Sequence, residues 1–516
     1  MKQQELTRRH QNNGNPGRIH ASPPAADHTG KGEEEKIRNT IEAYRKAAQD
    51  ISTLRPETIV LCSPHQTLYA DYFHISPGRG AKGDFRQFGA PQVAMEVTYD
   101  REFAEHLGSM AGAEGLHAGM LGEREKRLDH GTLVPLYFVN QYWTEYRLVR
   151  VGLSGFPLTA HYRLGQCIRK VSETLDRKVV VIASGDLSHR LKEDGPYGYR
   201  KEGPEYDARI MDVMGRGDFG ELLDFPEDFC EKAAECGHRS FTILGGAFDG
   251  IGVQAQALSY EGPFGVGYGI CTYRAAGQAP ERNFLEQYES REQEKRKVRQ
   301  EKEDAYVKLA RYTIQEYVCH GRVPGVDELP GKLGKPGTEE LPGKPGKAEA
   351  EGLWGKPGEA EAEGLSGKRE VAVGLPEELY HTRAGAFVSL KEDGKLRGCI
   401  GTIQPVRDCL AEEIIHNAIS ACSQDPRFPA VEPWEVERLT ISVDVLGDTE
   451  RISSPAQLDV KRYGVIVTKG ARRGLLLPNL EGVDTVEQQI AIAKQKAGIR
   501  EQEKMELERF EVVRHE

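Results

Sequence analysis

Two histidines each stand just after a short apolar run. His65, in Ser63-Pro-His65, follows Thr58-Ile-Val-Leu-Cys62, and His189, in Ser184-Gly-Asp-Leu-Ser-His189, follows Lys178-Val-Val-Val-Ile-Ala183. An imidazole can hold a metal or move a proton near neutral pH, and open α/β sheets bind ligands at the carboxyl ends of their strands. One histidine there reads as a hydrogen-bonded structural residue; two, placed independently, point to a site. His130, in Leu128-Asp-His130-Gly-Thr-Leu-Val-Pro-Leu136, adds a third imidazole before an apolar run. Glu235 and Cys236 precede another, Phe241 to Ala247, and supply a hard and a soft metal donor side by side. In the second half, Lys395 to Gly401 reads as a strand of period two, with Leu396, Gly398 and Ile400 toward a core and Arg397 and Cys399 on the other face. A guanidinium there could lower the thiol pKa; a cysteine packed as a small hydrophobe is the plainer alternative.

The elements that must position these groups alternate. Glu33 to Leu54 has helical spacing, Thr58 to Cys62 and Lys178 to Ala183 read as strands buried on both faces, and Tyr162 to Asp176 is a helix between them. Arg147 to Gly152 and Gly267 to Tyr273 complete an α/β pattern. Asn283 to Asp304 is a charged helical connector, and Ala305 to Val318 an amphipathic helix. From about 326 to 368 the pattern stops: Glu-Leu-Pro-Gly-Lys and Ala-Glu-Ala-Glu-Gly-Leu each recur, a composition that cannot offset its ordering entropy.

Composition narrows the class. The 516 residues suggest two or three folded units at roughly 100–200 residues each. A net charge of -11 spread along the chain excludes a basic nucleic-acid footprint, and no apolar run is long enough to span a bilayer. Nine cysteines without a CxxC pair fit a reducing compartment, so a cytoplasmic location is expected.

The motifs "SPH", "LDHGTLVPLYF" and "SGDLSH", with the Glu/Cys segment before "FTILGGA", resemble the class III extradiol ring-cleaving dioxygenases (LigB-like) and the related Memo-like proteins, over Gly32 to Arg274. The resemblance implies an α/β domain at 32–278, Fe(II) held by two histidines and a glutamate, and a catechol-like aromatic substrate. Carried over, His65 is a metal ligand, His189 the acid/base, and His130 a partner for substrate or oxygen. Glu235, the third ligand in the dioxygenase pattern, is the preferred reading, with Cys236, which takes that place in the Memo-like pattern, as the alternative. Relatives carry their first metal histidine in a His-Pro-Pro stretch that Ile19 to Gly30 lacks, leaving His20 and His28 as local candidates. Shifted one nucleotide forward, the codons for Ala21 to Gly30 can spell His-Pro-Pro, four Pro/Leu or Leu and Ile positions, Ile, Pro and Glu, so residues 1–31 are expected to be disordered or mis-framed.

"LRGCIG", "DPRF", "YGVIV" and "GLLLP" resemble the AMMECR-type domain over Ala305 to Glu516, interrupted at 326–368 and joined through a linker helix at 279–304. That resemblance implies an α+β fold and a cleft near Arg397 and Cys399. Fusion of the two halves is similar to the AmmeMemoRadiSam system architecture, which implies a radical-SAM partner; no CxxxCxxC cluster motif occurs in this chain. The expected function is an Fe(II) extradiol-type dioxygenase. A Memo-like metal or redox protein without ring cleavage, and a scaffold for a modification enzyme, are the alternatives.

Overall fold

The computed structural model describes residues 34–326 and 375–516, apart from Glu123, Pro196, Asp393 and Glu481. The expectations for residues 1–31, for His20 and His28 and for nearly all of the 326–368 repeat lie outside the described residues. Contacts divide the chain into two units, Met1–Gln293 and Glu294–Glu516, with the division inside a helix of charged sequence, Phe284–Lys302.

In the first unit, helix α1 (Arg38–Leu54) leads into β1 (Thr58–Ser63). A hairpin of β2 (Gly80–Phe85) and β3 (Ala90–Thr98) follows, then α2 (Arg101–Ala113), α3 (His130–Val139), β4 (Arg147–Gly152), α4 (Leu158–Thr174) and β5 (Val179–Ala183). After α5 (Glu202–Arg216) and α6 (His238–Ala247), a second hairpin, β6 (Ile251–Glu261) and β7 (Tyr268–Gln278), closes the unit. β1 is the centre of a parallel sheet in the order β4-β1-β5. All six of its residues are buried, which is what an all-apolar run covered on both faces requires. The apolar stretches that follow His130 and that run from Phe241 to Ala247 lie in helices α3 and α6. Asp129 caps α3, accepting from the Thr132 N–H at 3.0 Å, and this fixes where His130 begins the helix.

In the second unit, α7 (Ala305–His320) and α8 (Leu410–Ser423) cover one part of an antiparallel sheet, burying Val307, Ile314, Ile414 and Ile415 against it. Its strands, β8 (Ala386–Glu392), β9 (Lys395–Gly401), β10 (Thr440–Leu446), β11 (Tyr463–Lys469), β12 (Arg472–Leu476) and β13 (Glu506–His515), lie in the order β9-β8-β10-β13-β11-β12. Thr485 starts α9 (Val486–Ala497) with a capping box to Gln488. The strict alternation expected along β9 does not hold. Leu390 pairs with Gly398, but Lys391 pairs with Leu396, so Arg397 is an extra residue and the strand bulges there. Leu396 is consequently exposed, while Gly398 is buried where a Cβ would strike the Ala421 carbonyl.

His161 on α4 is fully buried; its Nδ1–H donates to the Pro157 carbonyl at 3.1 Å and its Nε2 accepts from the Ser154 N–H at 3.4 Å. Both nitrogens are satisfied in the neutral form, and burial lowers the pKa to about 3. A depressed histidine leaves stability intact above the unfolded value near 6.5 and removes it as pH falls toward the folded value. Urea unfolding between pH 6 and 4.5 should lose about 1.4 kcal/mol more per pH unit in the wild-type chain than in His161→Gln. Equal slopes would show that this imidazole titrates normally.

Candidate functional site

Parallel strands end on one edge, and β1 and β5 deliver their following loops to the same place. Ser63, the last residue of β1, donates to Asp129 at 2.6 Å, and its hydroxyl oxygen accepts from the His65 N–H at 3.2 Å. Buried Arg150, on β4, lies 3.6 Å from Asp129. This network holds His65 against His130, ring centroids 3.8 Å apart and tilted by 36°. Gly131 is what permits the approach, since a Cβ there would run into Ser63 and His65. Burial first, then the charge of His130, lowers the His65 pKa to about 4, and burial lowers that of His130. Both rings are therefore neutral at physiological pH, with nitrogen lone pairs available.

The loop after β5 turns at Gly185, φ +154°, where a Cβ would collide with Gly237. The glycine pair brings Asp186 onto the segment before α6. The Asp186 N–H donates to the Cys236 sulfur at 3.1 Å, and the Asp186 carbonyl accepts from the N–H groups of Cys236 at 3.3 Å and Gly237 at 3.1 Å. His189 Nδ1–H donates to the Ala234 carbonyl, from a residue held at φ +54°. A carbonyl only accepts, so Nδ1 carries the hydrogen and Nε2 faces Asp186 Oδ2 at 3.4 Å. Asp186, His189 and Cys236 each offer a ligand atom within 4.8 Å of the others. Burial pulls the His189 pKa down, but the hydrogen bond and charge of Asp186 outweigh it and raise it. Burial likewise opposes ionisation of Asp186, and His189, His65 and His130 more than compensate, holding it below its ordinary value. The Cys236 thiol is pushed well up by burial, then by the Asp186 charge.

His65, His130, His189 and Cys236 thus gather at one edge. Glu235 is beside them in sequence, yet its carboxylate accepts from the His238 N–H at 2.6 Å, at the start of α6. Burial raises its pKa. Asp186 was not singled out in the sequence; its signal was its position three residues before His189 in the same post-strand motif. Asp129 was equally legible as the residue before His130.

In the second unit, Arg397 is committed to Glu435 through two hydrogen bonds of 2.7 and 2.9 Å, and to the Pro429 and Ala430 carbonyls. Cys399 accepts from the Ser389 hydroxyl at 3.2 Å, and its N–H donates to Asp425 at 2.9 Å. Arg427 pairs with Asp425 and donates to the Cys399 carbonyl at 3.1 Å. That pairing, first, holds Asp425 well below the usual carboxylate range against its burial. The Asp-Pro-Arg-Phe motif therefore acts as a clamp on β9.

The family model described as the catalytic LigB subunit of aromatic ring-opening dioxygenase matches residues 20–271, and the AMMECR1 model matches 307–515. A protein of Clostridium acetobutylicum is 38% identical over 506 residues, covering 96% of this chain and 97% of its own. A protein of Thermotoga maritima is 57% identical over 143 residues, 27% of this chain and 82% of its own. Among solved structures, an uncharacterized protein of Pyrococcus horikoshii is 28% identical, with a TM-score of 0.30 over 40% of this chain and 88% of its own.

Arg397→Leu leaves Glu435, 5% exposed, without its cation. Removing one partner of a buried pair costs about 3–5 kcal/mol, so urea unfolding of the second unit should shift by that amount, and Arg397→Leu with Glu435→Leu should recover most of it. A single variant as stable as the wild-type chain would make the pair a surface ornament.

Proposed function

The chain belongs to a family that joins a LigB-type domain of aromatic ring-opening dioxygenases to an AMMECR1 domain, and on that premise we propose that its first unit is a metal-dependent redox site using Cys236, His189 and Asp186, with His65 facing them. The observation that carries this reading is the convergence of one sulfur, one imidazole nitrogen and one carboxylate oxygen within 4.8 Å. With Nδ1 of His189 donating to a carbonyl, Nε2 confronts the Asp186 carboxylate and needs a positive charge between them, a proton or a metal ion.

The donor set fits a transition metal of borderline softness. Imidazole suits iron, copper, nickel and zinc, and thiolate favours the softer of these. It departs from the two-histidine, one-glutamate set of Fe(II) dioxygenases, because the Glu235 carboxylate is engaged by the α6 N-terminus. A bound ion would supply Lewis acidity and, if redox-active, electrons for oxygen or substrate chemistry. The protein's own share would be orientation: the Ala234 carbonyl fixes the His189 tautomer, and the Asp186 N–H donates to the Cys236 sulfur, whose thiol keeps its proton until a bound cation displaces it. His130, neutral and stacked on His65, is placed to donate or accept a hydrogen bond from a small ligand. A radical-SAM protein as functional partner belongs to the same proposal, on the strength of the fused architecture.

Ring cleavage at Fe(II) is the second reading, favoured by the LigB match over residues 20–271. The two separate by variant. Metal analysis of purified protein should find that Cys236→Ser and His189→Ala lose metal about 10–100-fold in affinity, the scale of a ligand or its orienting partner. Glu235→Gln should keep metal and instead lose about 1 kcal/mol of stability as a weakened helix cap. Metal lost from Glu235→Gln but kept by Cys236→Ser, with oxygen uptake on simple catechols, would establish the dioxygenase reading instead.

A further inference from the structure

One face of the second unit's sheet, turned away from α7 and α8, carries a row of polar and nucleophilic side chains. We propose that it is a substrate site in which Cys399 is the nucleophile and Lys496 and Arg427 hold a small carboxylate-bearing electrophile against it. The site lies wholly in the second unit and is independent of the metal reading of the first. Val388 and Leu390 of β8 are buried in the core formed with α7 and α8, so Ser389 between them points the other way. Ser389 is opposite Cys399 on β9 and opposite Ser442 on β10. Residues paired in this way share a face, with Cβ atoms about 5 Å apart, and the Ser389 hydroxyl donates to the Cys399 sulfur at 3.2 Å. One sulfur and two hydroxyls therefore form a row across three strands, about 10 Å long at the usual strand spacing. All three residues are half-buried, which leaves them within reach of a small molecule.

Three cations face the thiol, each from a different element. Arg427, in the loop after α8, donates to the Cys399 carbonyl at 3.1 Å, and its guanidinium also reaches the Cys399 sulfur. Arg514, on β13, donates to Asp444 on β10 at 2.8 Å. Asp444 first, with Glu516 and Cys399 after it, raises the Arg514 pKa. Lys496 comes from α9, which packs on the other part of the sheet with Ala493 buried among Val465, Val467 and Leu476. Part of Lys496 is exposed, yet burial lowers its pKa first, with Cys399 acting against that change and Arg427 in the same direction. Arg397, two residues from the thiol, sits on the bulge and is spent on Glu435. The positive charge at Cys399 therefore comes from distant parts of the chain.

These charges do not cancel. Arg427 has Asp425 at 2.6 Å, and Arg514 has Asp444. Lys496 has no carboxylate partner among the described residues. One unmatched positive charge beside a thiol calls for one negative charge from a ligand. A carboxylate brings one, and a doubly charged phosphate exceeds it. A carboxylate held at Lys496 presents the carbon next to it to the row, while Arg427 and the Ser389 hydroxyl fix where the sulfur sits. The thiol proton goes to water, since the thiolate is the attacking form. The sulfur's electron pair then forms a C–S bond to that carbon, and the carbon's leaving group departs with its own pair.

Iodoacetate and iodoacetamide share an electrophilic carbon, are nearly equal in size and differ in charge, so the ratio of their rates reads the seat. Both are applied to the full chain at neutral pH and fixed ionic strength, with the Cys399 peptide followed by mass spectrometry and the uncharged thiol N-acetylcysteine amide as reference. The iodoacetate-to-iodoacetamide ratio should be about tenfold higher at Cys399 than in the reference, the low end of what a cleft of one charge sign supplies. Lys496→Gln should bring that ratio down to the reference, and Lys496→Arg should keep it. Sodium acetate should slow iodoacetate at Cys399 saturably, whereas sodium chloride at equal ionic strength should not. A wild-type ratio equal to the reference overturns the proposal and leaves Cys399 a packed thiol. A Lys496→Gln variant slowed alike toward both reagents overturns the seat, because the lysine then acts on the sulfur alone. Inorganic phosphate that protects more strongly than acetate overturns the carboxylate assignment. Should Lys496→Gln not accumulate, the ratio and the acetate protection in the wild-type chain decide.

Discussion

Everything at the candidate site depends on the junction between Asp186 and the Cys236–Gly237 peptide, fifty residues further along the chain. One residue offers its N–H to a sulfur and its carbonyl to two amides, and no bond in the set uses a side chain other than the cysteine. Backbone bonding of this kind leaves the Asp186 carboxylate and the His189 Nε2 unspent. Their approach is geometric before it is electrostatic: a Cβ on Gly185 would strike the Gly237 backbone, and one on Gly237 would strike the Phe241 ring. Substituting Gly185 would open the junction before altering any charge.

The same logic explains why charge accumulates there without unfolding the unit. Two imidazoles, His65, solvent-exposed on one side, and His130, half-buried, both have lowered pKa values, so they bring lone pairs rather than repulsion to the edge of the sheet. Asp186 and His189 compensate each other across 3.4 Å. Partly buried pairs of this sort add little net stability, because desolvation offsets attraction. Their presence at the carboxyl edge of β1 and β5 is better understood as a standing demand for a cation or proton than as a structural tie. The contrast lies in the second unit, where Arg397 is paired with Glu435 and donates to two carbonyls.

Much of this was legible in the residues. β1 and β5 announce themselves as nearly unbroken apolar runs, and β4, although Arg150 interrupts it, begins and ends where its pattern does, at Arg147 and Gly152. A histidine soon after each of two such runs locates the sheet edge without any coordinates. Three things were not legible, for physical reasons. α3 and α6 are so nearly covered that their apolar faces merge, and periodicity cannot separate a buried helix from a buried strand. The bulge at Arg397 is invisible because one extra residue in β9 is a matter of pairing with β8, not of composition. Glu235, preferred as third ligand with Cys236 as the alternative, was chosen on donor chemistry alone, whereas the backbone, turning at Ala234 with φ +54°, decides which side chain meets the helix end and which meets Asp186.

β5 joins the two levels. A strand whose sequence demands cover on both sides, and whose surroundings supply it on one, is a conflict between local pattern and packing that natural sequences avoid. The conflict is confined to one edge: β1 is buried throughout, β4 is buried from Leu148 to Gly152, and the core behind α2 and α4 closes around Val60, Phe103 and Leu164. Among the described residues the shortfall is local to that one edge. The same strand carries Ser184, Gly185 and Asp186 at its far end, so packing in the sheet and chemistry at its rim are one problem in this molecule.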